Sequence, residues 1–213
     1  MDSQDLLCME NKHIYQDWLQ LAQTKHTTIS VACFKQVEKQ YTQPNRYYHT
    51  LSHIAHLFDQ IRHLQYSKTD KHLLSHAALF HDVIYDYKAT DNEFQSTQFA
   101  TKWLTALGIE MASLHRINDM IIATATHTSD CPLTKVFLDM DLSILGATPE
   151  KYHQYCEEIR KEYQKIPLFL YKQGRKRFLK KTLKRTSIFL TTSYQIRYET
   201  QARVNMSNEL NTL

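Results

Sequence analysis

The scarcity of chain breakers constrains this sequence more than any other feature. Its 213 residues hold three glycines and four prolines. These are Gly108, Gly146 and Gly174, with Pro44, Pro132, Pro149 and Pro167. Tight hairpins are built from such residues, and no Asn-Gly or Asp-Gly pair occurs. A sheet protein of this length needs many of those turns, so the chain reads as all-α. The few breakers fall where apolar spacing of three to four residues stops or restarts, as expected at helix ends.

Periodicity then places the helices. The first is expected over about 6–23, with Leu7, Ile14, Trp18 and Leu21 on one side, and the second over about 28–41, with Val31, Phe34, Val37 and Tyr41. A third spans about 48–65 and carries His49 and His53 four residues apart, hence on one face. A fourth covers about 69–82 and ends at His81-Asp82. Thr90-Asp91-Asn92-Glu93 has the pattern of a capping box opening a fifth, which Gly108 closes. A sixth spans about 111–127, and others run from Pro132 to Gly146 and from Pro149 to Pro167. A basic helix is expected after Gly174 and an amphipathic segment over about 193–210. No repeat, low-complexity tract or linker interrupts the chain. One domain over 1–213 is expected, with its core at about 46–145 and a helical extension at about 148–213.

Composition narrows the class. Hydrophobic residues at 42% and charged residues at 23% are ordinary for a globular domain large enough for a real core. A net charge of +4 is too mild to argue for nucleic acid or membrane. Cys8, Cys33, Cys131 and Cys156 form no C-x-x-C pair, which removes zinc-finger and thioredoxin readings. Reduced thiols and a cytoplasmic location are the expectation. The opening Met1-Asp2-Ser3-Gln4-Asp5 lacks the features of a signal peptide. No apolar run is long enough to span a bilayer.

Twelve histidines are many for this length and turn attention to metal. His81-Asp82 follows the apolar run Ala77-Ala78-Leu79-Phe80, at the end of a helix packed in the core. Beside another histidine and another aspartate, this pair makes a mixed N/O site for a divalent ion. The aspartate comes from Leu138-Asp139-Met140-Asp141-Leu142. Residues three and four away from Asp141 are Phe137, Leu138, Ile144 and Leu145, all apolar, whereas those around Asp139 are mixed. Helical spacing therefore puts Asp141 on the buried face and Asp139 toward solvent or behind the ligands. By the same spacing His127 points inward from the end of its helix. His56, His63, His72, His76 and His115 read as surface or filler positions.

The ordered set His…His-Asp…Asp resembles the HD superfamily of metal-dependent phosphohydrolases. Arg46-Tyr47-Tyr48-His49-Thr50-Leu51 is similar to the Arg-x-x-His-Ser-Leu start of many HD domains. The resemblance extends to a bacterial subgroup of HD phosphohydrolases. Its shared blocks are Tyr48-His49-x-x-x-His53-Ile54, Phe80-His81-Asp82-x-x-Tyr85-Asp86, Asp91-Asn92-Glu93 and Ile159-Arg160-Lys161-Glu162-Tyr163. Gly174-Arg175 and Ala202-Arg203-Val204-Asn205 complete it near the C-terminus. The resemblance implies a helical HD-type bundle and a divalent cofactor (Mn, Fe, Ni, Co, Zn or Mg) held by His49, His81, Asp82 and Asp141. His53 competes with His49 for the first ligand position, and the other of the two would contact phosphate or a second ion.

The implied activity is hydrolysis of a phosphate ester, on a nucleotide or nucleotide-derived molecule, by metal-activated water. Asp86, Glu93 and His127 are then the acid/base candidates. Arg46, Lys88 and Arg160 are the candidates to neutralise the substrate phosphate, along with His53. Each has a plainer role to hand: a helix cap for Glu93, a loop for Asp86, an ion-pair face for Arg160. The alternative to an enzyme is a non-catalytic HD module that binds metal or nucleotide and acts through a protein partner. The run Lys172, Arg175, Lys176, Arg177, Lys180, Lys181, Lys184, Arg185 reads as a solvated helix face or as a stripe for nucleic acid or an anionic membrane. It lacks any groove-reading motif, so sequence-specific DNA binding is not expected. Self-association into a homo-oligomer is left open.

Overall fold

A computed structural model describes residues 11–213, and among them every element is helical, with no strand. The expected start of the first helix, Leu7 and Cys8 lie outside the described residues. The helices are α1 (Lys12–Leu21), α2 (Thr28–Tyr41), α3 (Leu51–His63), α4 (Lys68–Phe80), α5 (Asn92–Ala106) and α6 (Met111–Ala123). They continue with α7 (Pro132–Leu142), a 3₁₀ turn (Ser143–Gly146), α8 (Pro149–Glu162) and α9 (Leu168–Leu183). A short α10 (Thr192–Tyr194) passes through a π-turn (Gln195–Glu199) into α11 (Thr200–Thr212). None of Cys33, Cys131 and Cys156 is in a disulfide. Among the described residues no helix is long and apolar enough to cross a membrane.

The chain groups into two compact units, one ending at Phe137 and the other spanning Leu138–Leu213. The changeover falls inside α7.

In the first unit α4 is the central helix, packed against α1, α3, α5 and α6. Its last eight residues, Leu73 through Phe80, are all buried. A helix enclosed on every side must be apolar all round, and Ala77 and Ala78 are small enough to admit close neighbours. Leu73, Leu74, Leu79 and Phe80 each contribute about 1.5–3 kcal/mol by leaving water. Ser75 and His76 in this stretch each make a hydrogen bond that holds them in place. Ser75 Oγ donates to the Lys71 carbonyl at 2.6 Å. His76, which the sequence reads as filler, is fully buried and accepts a hydrogen bond from Trp18 Nε1 at 3.2 Å. Burial, with His72 beside it, pulls its pKa well below the ordinary histidine value, so it stays neutral. Ser67 caps the start of α4 by accepting from the Asp70 amide at 3.0 Å.

Three helix ends of the first unit that bear on the site differ from the sequence expectation. The cap of α3 is Thr50, so His49 lies outside the helix and the i, i+4 argument for His49 and His53 does not apply. The cap of α5 is Asp91, which makes no capping hydrogen bond, so Thr90 and Glu93 form no capping box. Asp91 Oδ1 instead accepts from the Gln95 side chain at 2.9 Å. A capping box does occur at Thr27–Ser30, where serine takes the place of the usual Glu or Gln. Helix α6 stops at Ala123 and leaves His127 in turn backbone. Gly108 closes α5 as expected, at a φ of +79° that favours glycine.

In the second unit α9 and the 3₁₀ turn pack on α11. Gly146 is required there, because a Cβ at that position would lie 2.6 Å from Tyr198 Cβ. Asn205 ties the turn to α11 by donating to the Leu145 and Ala147 carbonyls, each at 2.9 Å. Arg175 and Glu209 form a buried bidentate pair at 2.8 and 3.0 Å, and Tyr152 donates to the same carboxylate. Burial alone would raise the Glu209 pKa, but the Arg175 contacts prevail and hold it below the usual carboxylate range. Helix α9 runs unbroken through Gly174, where a start was expected. A single glycine costs a helix only about 1 kcal/mol, too little to end one anchored on both sides.

Candidate metal centre

The C-terminal end of α4 builds the site. His81 continues the helical backbone one residue past Phe80, its amide donating to the Ala77 carbonyl at 2.9 Å. Its Nδ1 lies 2.9 Å from the Ala78 carbonyl oxygen. A carbonyl can only accept, so Nδ1 carries the proton and Nε2 is the nitrogen presented to the site. That Nε2 stands 2.9 Å from Asp82 Oδ2. The Phe137 ring packs edge-on against His81 with centroids 5.7 Å apart. His81 is thus held from behind by a hydrogen bond and at the side by an aromatic wall.

His53 arrives from the first turn of α3, its ring centroid 5.4 Å from that of His81. The ligating atoms of His53, His81 and Asp82 all lie within 4.8 Å of one another, with both histidines buried and the aspartate half-buried. His49 Nε2 is 3.9 Å from Asp82 Oδ2, and its ring stacks on Tyr85 at 4.2 Å. Tyr48 stands against both His49 and His53, at 5.0 and 5.1 Å. Of the two competing histidines, His53 is therefore the one grouped with His81 and Asp82, and His49 borders them.

This donor set fits a divalent ion. Two imidazole nitrogens and a carboxylate oxygen are the ligands that first-row metals and zinc accept together. Such ions hold ligands at about 2.0–2.2 Å, so two ligands at a right angle stand roughly 3 Å apart, the spacing of His81 and Asp82. The proton on Nδ1 matches the usual arrangement of a ligating histidine, whose second nitrogen donates to a carbonyl or carboxylate.

Arg46 has a different role from the one expected of it. It is buried, and its guanidinium donates to the backbone carbonyls of His49 at 3.2 Å, Asp82 at 2.7 Å and Val83 at 2.9 Å. Its cationic carbon also lies over the rings of Tyr41 at 4.9 Å and Tyr85 at 5.5 Å. Both terminal nitrogens are engaged by the protein's own carbonyls, so Arg46 is a positioning residue that clamps the His49 segment to the His81-Asp82 turn. A sequence motif records the residue type but not which oxygens it meets.

The acid/base candidates are more peripheral. Asp86 is exposed, and its carboxylate accepts from the Lys88 amide at 2.9 Å, as aspartates do in turns. Asn92 clasps the backbone of Asp86 in both directions, at 3.0 and 2.9 Å. Ser96 does the same to Ile84, at 3.1 and 3.3 Å. These contacts pin the loop after Asp82 to the start of α5. Lys88 is exposed and lies near the Tyr87 ring. Glu93 is half-buried in the first turn of α5. His127 is half-buried in left-handed backbone at a φ of +51°. Neither Glu93 nor His127 belongs to the cluster of His53, His81 and Asp82.

The remaining candidates belong to the second unit and are described there. Arg160 donates to the Tyr163 carbonyl at 2.6 Å and lies 4.9 Å from the Tyr171 ring, so it finishes the end of α8 and forms no solvated ion-pair face. The two aspartates of α7 reverse the sequence reading. Asp139 is the buried one, at 1% exposure, and Asp141 is half-buried. Asp139 accepts from the amides of Leu190 and Thr191, each at 2.7 Å, and from Thr191 Oγ1 at 2.6 Å. Burial raises its pKa in spite of those three donors. Apolar neighbours at helical spacing cannot reveal that amides from fifty residues downstream come to meet the mixed face.

Compared with protein-family models, with curated proteins and with solved structures, the chain matches none of them.

Proposed function

We propose that this protein is a metal-dependent phosphohydrolase whose divalent ion is held by His53, His81 and Asp82. The observation that carries the reading is the convergence of those three ligating atoms within 4.8 Å at the end of a buried helix. A divalent ion bound there would polarise a phosphoryl oxygen and make water a nucleophile near neutral pH.

The chain's residues supply the rest. The Ala78 carbonyl fixes the His81 tautomer, so that Nε2 faces the ion. Arg46 fixes the turn that carries Asp82 and the strand of chain that carries His49. His49, stacked on Tyr85 and half-exposed beside Asp82, is placed to hold or pass a proton at Nε2. Asp141 and the nucleotide class of substrate come from the resemblance to HD phosphohydrolases alone. With Arg46 and Arg160 committed to carbonyls, Lys88 is the one of the three expected cations left exposed to meet a phosphate.

The test is phosphate release from a panel of nucleoside mono-, di- and triphosphates with Mn²⁺ supplied, beside Asp82→Asn. Release by the wild type and none by Asp82→Asn is expected. Equal release by both proteins would refute the site. Metal bound without release from any member would move the reading to a metal-binding module.

A further inference from the structure

The basic run along α9 takes no part in the site described above. Between Leu168 and Arg185 there is no acidic residue. Lys176, Arg177, Lys180, Lys181 and Lys184 line one side of the helix together with Gln173. None of these five cations is ion-paired among the described residues, whereas Arg175 on the opposite side is buried against Glu209. A helix face that only needed to be solvated would mix both charge signs.

The same helix begins with three consecutive exposed apolar residues. Leu168, Phe169 and Leu170 are 53%, 70% and 45% exposed. Such a run is costly in water and carries a function when it persists. At 100° per residue, Phe169 and Leu170 fall on the same face as Gln173, Arg177, Lys180 and Lys184. One exposed face thus carries an apolar tip followed by about three turns of unpaired cations. Pro167 caps the helix and sets the start of the tip.

We propose that this face of α9 binds the surface of a bilayer containing anionic phospholipid, with Phe169 and Leu170 entering the headgroup region and the cations meeting phosphate. Interfacial helices combine these two elements, apolar residues that insert and basic residues that attract anionic lipid. Single-stranded nucleic acid would call for aromatic rings interleaved among the cations, to stack on bases. Here Phe178, the ring among the basic turns, lies off this face with the Arg175 guanidinium 5.0 Å from its centroid, and the apolar residues of the face are gathered at one end.

The experiment is co-sedimentation of the full chain with phosphatidylcholine vesicles, with and without phosphatidylglycerol. Retention on the anionic vesicles alone, weakened by salt, is expected. Phe169→Ser/Leu170→Ser should lower the partition coefficient by about tenfold or more, and neutralising Lys176, Lys180, Lys181 and Lys184 to Gln by about a hundredfold or more. Five of the six positions are exposed and Lys176 is half-buried, so circular dichroism should be unchanged. As a second readout, Phe169→Trp should shift its emission to the blue with anionic vesicles only. No retention on anionic vesicles, full retention of the Phe169→Ser/Leu170→Ser protein, or capture by single-stranded RNA without vesicle binding would each overturn the proposal.

Discussion

His81 and Asp82 meet through Nε2 and Oδ2 at 2.9 Å while the other nitrogen of His81 is held by the Ala78 carbonyl. With Nδ1 protonated, that contact needs a proton or a cation between the two atoms. Either one proton is held between Nε2 and the carboxyl group, or both atoms turn their lone pairs to a cation. A neutral histidine with a bare Nε2 against an ionised carboxylate would be repulsive. The contact is therefore a proton-bridged pair or a metal site, and His53 beside it favours metal.

Asp82→Ala should abolish metal binding and leave the helical fold intact, because Asp82 is half-exposed and its backbone carbonyl still meets Arg46. Metal content read alongside circular dichroism checks this. A folded, metal-replete Asp82→Ala protein would sink the proposed site.

His53 and His49 should separate in their effects. His53→Ala removes a member of the cluster and should weaken metal affinity by more than about a hundredfold, whereas His49→Ala, bordering it, should cost about tenfold. Titration calorimetry with Zn²⁺ or Mn²⁺ measures both. The reverse order would make His49 the ligand.

Arg46→Met should destabilise the protein by about 3 kcal/mol or more, since three carbonyls lose a charged donor in a buried setting. Arg46→Lys should recover only part of this, because an ammonium cannot reproduce the fork. Urea unfolding gives the comparison. A fully stable Arg46→Met with weakened substrate binding would restore the phosphate-binding role.

The two aspartates of α7 should now divide in the opposite way from the one their neighbours suggest. Asp139→Asn turns an amide NH₂ toward the Leu190 and Thr191 donors and should cost about 2–3 kcal/mol of stability. Asp141 is half-buried, and Asp141→Asn should cost less stability than Asp139→Asn. If Asp141 is a ligand, that variant will lose metal. Thermal unfolding and metal content on both proteins decide it.

His76 gives the fold a dependence on pH. Its folded pKa lies well below its ordinary value, which is about 6.5 in the unfolded chain. Below that pH the unfolded chain takes up a proton that the fold refuses, so stability is full above about 6.5 and falls as the pH drops through it. His76→Gln keeps an acceptor for Trp18 and cannot titrate. Its stability should fall less than that of the wild type between pH 7 and 5, as read by urea midpoints. Parallel losses would contradict the assignment.

Much of this was legible in the sequence because helices announce themselves locally. Few breakers meant no sheet, and Pro132, Pro149 and Gly108 stand at the ends they were expected to mark. That one of His49 and His53 meets His81-Asp82 was legible too, from residue types in order along the chain, but the motif put His49 first and the cluster takes His53. What stayed hidden was non-local. Arg46 looked like a phosphate ligand because its carbonyl partners lie thirty-six and thirty-seven residues away. Asp139 looked solvated because its donors come from Leu190 and Thr191. Gly174 looked like a boundary, since propensity is local and packing of the whole of α9 overrides it.

The central claim is most directly tested by elemental mass spectrometry on untagged protein, with wild type beside His81→Ala/Asp82→Ala. The account predicts close to one divalent ion or more per wild-type chain and almost none in the folded double variant. An absence of metal in the wild type, even after reconstitution with Mn²⁺, Fe²⁺, Ni²⁺, Co²⁺, Zn²⁺ or Mg²⁺, would contradict it and leave His81 and Asp82 as a proton-bridged structural pair.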